Sequence, residues 1–467
     1  RMWYWFGFTQ NDINITQTTG NADITKLRNI SGKVHGTEVD GALTYKAFYT
    51  EGDKIKDGRT AVPNRSLETT WDQSGPSPIY SGSLSYFFNP NFEMSGQVSK
   101  VDGGFALVPK AGSGPGTQII VDENGTWVNT FIDFASKRPS KQYAVRGNNF
   151  FSGAGWDHEL KYGFKYRETE RLSISRYGGD GVLAFAGPGG LGGSATLYRD
   201  GIAGDDTEHL NLWVGNTMLK GPWAVNYGLH YSSQEGKQAA SNVPGNAILP
   251  CTSGFNPDGS CADGGIPSLM FSGFDPGVSW EDIMPRAGVT YTFDWENRLL
   301  LKASFGQYVD TYSNFDVSFN NPVAPSAVTY DWDDTNGDLL VQPGELGTTL
   351  LGTTNFDPLN PTAASSPDRI DTGLDAPRVT EFLFGGEYEL ARNFTLGANI
   401  THRIRDREWY SPLVDLNTGA PLAASNYSCA PIGTIAGVGT FSEEICTLNA
   451  GAFSSGAVDA SRASILT

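Results

Sequence analysis

Residues 223–231, WAVNYGLHY, alternate with a period of two. Trp223, Val225, Tyr227, Leu229 and Tyr231 fall on one face of an extended chain, and Ala224, Asn226, Gly228 and His230 on the other. One face is apolar and aromatic; the other is small or polar. The unit recurs along the chain. In 158–167, Leu160, Tyr162, Phe164 and Tyr166 oppose Glu159, Lys161, Lys165 and Arg167, and 394–405 gathers Phe394, Leu396, Ala398 and Ile400 on one side. A strand of this kind needs an apolar medium on one flank and a wet one on the other.

Working outward from this unit, the alternation predicts strands at 2–9, 26–36, 42–50, 79–88, 92–100, 142–151, 158–167, 209–219, 223–232, 287–293, 299–309, 379–390 and 394–405. Short turns join them in pairs at 38–41 (EVDG), 89–91 (NPN), 153–155, 220–222, 294–297 (DWEN) and 391–393. Long loops separate the pairs: 101–140, with one short strand near 117–121, then a glycine-rich stretch at 187–193, then 235–284, 310–378 and 406–467. Loops of that length are out of place inside a compact soluble domain. Short turns at one end and long loops at the other are what a closed barrel crossing a bilayer requires. The expectation is an all-β, antiparallel transmembrane β-barrel with short periplasmic turns and long extracellular loops.

Composition agrees. The chain has 467 residues, of which 39% are hydrophobic and 12% aromatic, and it carries 57 glycines. With a mean hydropathy of −0.30, no run approaches the roughly 20 apolar residues of a membrane-spanning helix. A barrel strand needs only about 9–11 residues, half of them facing a wet lumen. The net charge of −18, from 33 Lys and Arg against 51 Asp and Glu, excludes nucleic acid as a partner, since no basic stripe is available for phosphates. Outer-membrane lipid and lipopolysaccharide are the surroundings such a barrel implies.

The cysteines form two local pairs, Cys251 with Cys261 and Cys429 with Cys446, each set among loop residues. Closeness in sequence favours these pairings, and disulfides imply an oxidising compartment. No histidine lies near either pair, so zinc is disfavoured. The chain opens on strand-like residues and ends on 461–467 without a closing strand, so it reads as a fragment: 1–467 as part of a barrel domain, with signal peptide and C-terminal strands outside it.

Chemistry-bearing motifs are few. Asp334, Asn336, Asp338 and Glu345 stand at positions one, three, five and twelve of 334–345 (DTNGDLLVQPGE), the spacing of a calcium loop, and Asp331 and Asp333 add carboxylates nearby. The departures are Leu339 where such loops have glycine, and Pro343 and Gly344 where a helix should follow. The alternative is an acidic turn with no ion. Catalytic constellations are absent: of the five histidines, at 35, 158, 209, 230 and 402, His158, His209 and His402 sit in or beside alternating strands and suit pore-lining or girdle positions, and 192–195 (GGSA) has no strand-to-helix elbow. The expectation is no enzymatic activity and no required cofactor. Trp3, Trp5, Tyr86, Phe87, Phe88, Trp213, Trp223, Tyr308, Trp409 and Tyr410 cluster near strand ends and read as an interfacial belt.

Four stretches carry a resemblance. Residues 280–308, with Pro285, Arg286 and Gly288 opening one strand and Lys302, Gly306 and Tyr308 marking its return, resemble a barrel hairpin of TonB-dependent outer-membrane receptors, in particular the Oar-like group. Residues 381–386 leading into 390–396, 211–231, and 158–166 (HELKYGFKY) resemble further hairpins of that group, in the right order. The resemblance implies a barrel of about 22 strands, an N-terminal plug and a TonB box, and TonB as the partner that delivers the energy of the proton gradient. Neither plug nor TonB box is visible in 1–467. On this reading the long loops bind an unidentified extracellular ligand, which is imported past the plug. Two alternatives stay open: a passive porin or surface adhesin on the same barrel, and a secreted carbohydrate-active β protein, which would be soluble and show paired carboxylates in a cleft.

Overall fold

The computed structural model describes the chain except for residues 17, 19, 21, 63–64, 130–131, 294–298, 319–322, 364–368, 411–413, 416–421, 436–438, 449–456, 459–460 and 465–467. The expected turn at 294–297 lies outside the described residues.

One antiparallel sheet of fourteen strands forms the wall. Thirteen of its strands are long. They are β1 (Met2–Thr16), β2 (Ala22–Glu38), β3 (Leu43–Arg59), β4 (Ser77–Asn89), β5 (Phe92–Pro109), β6 (Ile132–Gly153) and β7 (Trp156–Tyr177). The series continues with β8 (Gly201–Lys220), β9 (Trp223–Gln238), β10 (Ser279–Thr292), β11 (Leu299–Val309), β12 (Arg378–Ala391) and β13 (Phe394–Asp406). The short strand Trp71–Ser74 inserts between the far ends of β3 and β5. Each long strand pairs with the next in sequence, so the sheet is a meander.

The two faces part as the alternation requires. Tyr227, Leu229, Leu396 and Ile400 are 49%, 52%, 54% and 73% exposed, on a face that no layer of the described residues covers. Nine alternating residues at ~3.3 Å each, inclined as barrel strands are, give an apolar band of roughly 25 Å, the height of a bilayer's hydrocarbon layer.

Aromatic side chains on this wall lie over glycines on the neighbouring strand. Tyr45 faces Gly36, Tyr162 faces Gly147 and Trp213 faces Gly163 as direct cross-strand partners. A Cβ at Gly147 would come within 2.5 Å of the Tyr162 ring, and one at Gly36 within 2.1 Å of Tyr45. The glycines are the seats of the rings, which connects the high glycine and aromatic content to packing within the sheet.

The structure corrects several expectations. The strands overrun their expected ends: β6 and β7 have 22 residues each, so 101–109 and 132–140 are strand, not loop. At ~3.3 Å per residue these strands reach about 70 Å, well beyond a bilayer. Past the apolar band the outer face turns polar as well, at Lys141, Glu168 and Glu170, so the alternation loses its contrast. Residues 406–467 also contain strands, among them Tyr427–Ile435 paired with Gly439–Leu448.

The aromatic belt is smaller than expected. Trp223 with Tyr291 (ring centroids 4.5 Å apart), Tyr86 with Phe88 (4.9 Å) and Phe151 with His158 (4.7 Å) lie at the turn end of the outer face. Trp3, Trp5, Phe87, Trp213 and Tyr308 fall on the opposite parity and face the lumen. Trp409 packs beside Trp280 and Tyr312 at the loop end. The side chain of Tyr410 is outside the described part. Clustering near strand ends in sequence does not distinguish the two faces; register does.

Candidate functional site

The long loops are folded. Three of them contribute to one six-stranded sheet: Ile119–Val121 and Trp127–Val128 from the first, Val182–Phe185 and Gly193–Arg199 from the second, Ser326–Trp332 and Leu346–Thr354 from the third. Their alternating residues bury a core of Ile120, Val182, Ala184, Ala195, Leu197, Val328, Trp332 and Val341, and the 239–278 loop adds Ile266. A second nucleus, with Val278, Trp280, Tyr312, Val317 and Leu374, joins this cap to the wall. Trp280 Nε1 donates to Leu374 O (2.9 Å), Gln234 Nε2 to Asp310 O (3.0 Å), and Tyr312 N to Gln234 Oε1 (2.9 Å).

Buried polar side chains tie one loop to the next. Arg199, 3% exposed, donates from Nη1 to Pro267 O (3.2 Å) and Pro361 O (3.4 Å) and from Nη2 to Ser326 Oγ (3.2 Å). Burial without a carboxylate partner pushes its guanidinium down to about 10, still protonated at neutral pH. Asn246 Nδ2 donates to Tyr198 O (2.9 Å) and Gly181 O (3.1 Å), while Oδ1 accepts from Ile248 N and Leu249 N. Gln118 spans 223 residues: its Oε1 accepts from Val341 N (2.6 Å), and its Nε2 donates to Val341 O (3.0 Å). At the base of the cap, burial raises the Asp200 carboxyl, and its Oδ1 accepts from Tyr177 N (2.9 Å). Desolvation also pushes the Tyr177 hydroxyl up to about 12, beside the stacked ring of Tyr198. Arg199 and Gln118 carry no local sequence signal, because their partners are dozens to hundreds of residues away; Asn246 caps its own turn through Oδ1, but the carbonyls that its Nδ2 reaches are 48 and 65 residues away.

Both cysteine pairs are bonded, Cys251 to Cys261 within the 239–278 loop and Cys429 to Cys446 across a two-stranded ladder. The 334–345 loop closes on itself. Asp334 Oδ1 accepts from Gly337 N (2.9 Å) and its Oδ2 from Leu339 N (3.1 Å). Glu345 Oε1 accepts from Thr335 N (3.1 Å), Asp338 Oδ1 from Leu340 N (2.9 Å), and Asn336 Oδ1 from Asp338 N (2.9 Å). The oxygens counted toward calcium thus serve as turn-capping acceptors. Among the described residues, the group of metal-capable side chains that converges is Cys251, Cys261 and Asp263, whose sulfurs are already bonded to each other.

Beneath the cap, the lumen face is polar, and the cations Lys161, Lys165, Arg167 and Arg286 project from neighbouring strands β7 to β10 with His209 and His230 among them.

The sequence matches no protein-family model and no curated protein. Solved structures do match. The outer-membrane transporter YddB from Escherichia coli aligns over 88% of this chain and 45% of its own, with a TM-score of 0.52 and 10% identity. This chain has the fold of an outer-membrane transporter barrel. The hemophore receptor HasR of Serratia marcescens aligns over 96% of this chain and 54% of its own, with a TM-score of 0.49 and 10% identity. The chain spans about half the length of these solved structures. With its uncovered apolar band, the wall of this outer-membrane barrel stands in the bacterial outer membrane, and the folded cap stands clear of the lipid.

Proposed function

We propose that the chain is part of a TonB-dependent receptor of the Oar-like group, one that captures a ligand on its cap and imports it through the lumen. The observation that carries this reading is the cap. Three loops share one sheet and one apolar core, and a fourth is clamped to them through Arg199. Loops held by a rigid scaffold and by one another present a preformed surface, which lowers the ordering cost of binding. The fold likeness to a transporter supports passage rather than adhesion, by analogy. The reading includes the features that the family resemblance implies: about 22 strands when complete, a plug, a TonB box, and import without covalent chemistry.

The test uses the full-length protein in its own outer membrane. Solutes are measured as they disappear from a defined medium, in cells with and without the gene and with the proton gradient collapsed. A solute taken up only with both gene and gradient is the expected result; uptake that survives collapse overturns energised import. Reconstituted in a planar bilayer, the receptor should be closed at rest. A stable open conductance would instead establish the passive porin.

A further inference from the structure

On the lumen side of β7 to β11 lies a recess of about 250 Å³, lined by Lys165, Arg167, His209, His230, Arg286 and Tyr308, with Thr311 of the cap at its rim. Register explains the convergence. Lys165 stands opposite Asn211, and Arg167 opposite His209, in adjacent rows of one face. Arg286 stands between Gly228 and Gly306, which leave it room on both sides. Rows on one face are ~7 Å apart, within reach of lysine and arginine side chains.

The charge here is not compensated. The lumen-facing carboxylates nearby already have cations: Glu159 has Lys161, Asp205 has Arg171, Asp282 has Arg407 and Glu381 has Arg403. Lys165, Arg167 and Arg286 form no ion pair among the described residues, and Arg167 Nε is buried with no hydrogen-bond partner. Arg286 lies over the Tyr308 ring at 4.7 Å, a contact that aims the guanidinium without neutralising it. Gly306 makes that contact possible, since a Cβ there would meet Tyr308 Oη at 3.0 Å. Asn211 Oδ1 is engaged with His230 Nε2 (3.0 Å), which leaves the amide NH2 as a neutral donor beside the cations.

Three like charges around one recess repel, in a chain whose net charge is −18. An anion entering the recess relieves that repulsion and satisfies the orphan donor. We propose that this recess binds a small oxyanion, the carboxylate or phosphate group of a solute that has passed the cap. Guanidinium groups suit such a ligand because their paired N–H groups match two of its oxygens. The proposal rests on the receptor reading for its route of entry and adds to it the charged group of the ligand.

The experiment uses the full-length receptor in detergent at low salt. Trp213, which lines the adjoining lumen with Lys161 and Arg286, reports through its fluorescence. Inorganic phosphate and succinate are titrated separately, against sodium chloride at matched ionic strength. Saturable changes with one or both are expected, and which of the two saturates identifies the source. Arg167→Gln and Arg286→Gln should each weaken binding about tenfold, while Arg167→Lys and Arg286→Lys stay within about threefold. Lys237→Gln, on the outer face, should leave it unchanged. Heat-modifiable migration verifies that each variant is folded, and the lysine variants carry the comparison if the glutamine ones fail. No saturable response beyond chloride, or equal binding by folded glutamine variants, overturns the site. The bilayer measurement stays separate: a closed barrel that ignores both anions retires the site alone. An open barrel that binds them retires the receptor reading and keeps the site.

Discussion

At the scale of single residues, the cap depends on groups whose importance comes from where they are buried. Arg199→Ala would leave Pro267 O, Pro361 O and Ser326 Oγ without their donor, at about 1–3 kcal/mol for each acceptor left dry. The expected outcome is faster protease cleavage within 239–278 and unchanged heat-modifiability of the wall. Asp200 gives the cap a pH dependence. Its carboxyl is raised by burial, so the folded cap holds the proton more tightly than the unfolded chain does. Stability from this group is therefore present at low pH and is lost as pH rises from the ordinary carboxylate range through the raised folded value. Hydrogen exchange of the cap should quicken across that window, and Asp200→Asn should flatten the slope. None of these residues was legible beforehand. Arg199 ends an ordinary strand, Asp200 precedes another, and their environments come from loops read only as polar connectors.

At the scale of elements, the thirteen long strands were legible because one face must be apolar at every second residue across the bilayer, and Trp223 to Tyr231 show it without interruption. Their far ends were not, because β6 and β7 continue into water where neither face is constrained. Glycine–aromatic pairing was invisible for a different reason: Gly147 and Tyr162 are neighbours only once register is known. Gly147→Val should obstruct the Tyr162 ring and reduce the folded fraction on heat-modifiable gels, with partial recovery in the Gly147→Val, Tyr162→Ala double variant. The 334–345 loop offers a further check. Its acceptors are engaged by its own backbone, so millimolar calcium or a chelator should leave the protease resistance of the detergent-purified cap unchanged; a calcium-dependent gain would favour the ion-loop reading instead. Among the calcium-loop positions, the spacing was visible in the sequence and the competing backbone donors were not.

At the scale of the whole molecule, the wall has a lipid side and a wet side, and substitutions should register the difference. Leu229→Arg or Ile400→Arg, in the exposed apolar band, should cost about 2–4 kcal/mol in unfolding from phospholipid vesicles, whereas Ser304→Arg, exposed on the lumen face, should cost much less. Equal losses on both faces would overturn the barrel assignment. The cap carries a consequence of another kind. Segments from three excursions of the chain are knitted into one sheet, so none can change length or sequence there without disturbing the other two. Variation under attack by phage or antibody is thereby channelled into the turns that stay outside the weave, such as the disulfide-closed tip at 251–261. Related proteins should differ most at those turns, while the woven part drifts only by matched changes in partners far apart in sequence.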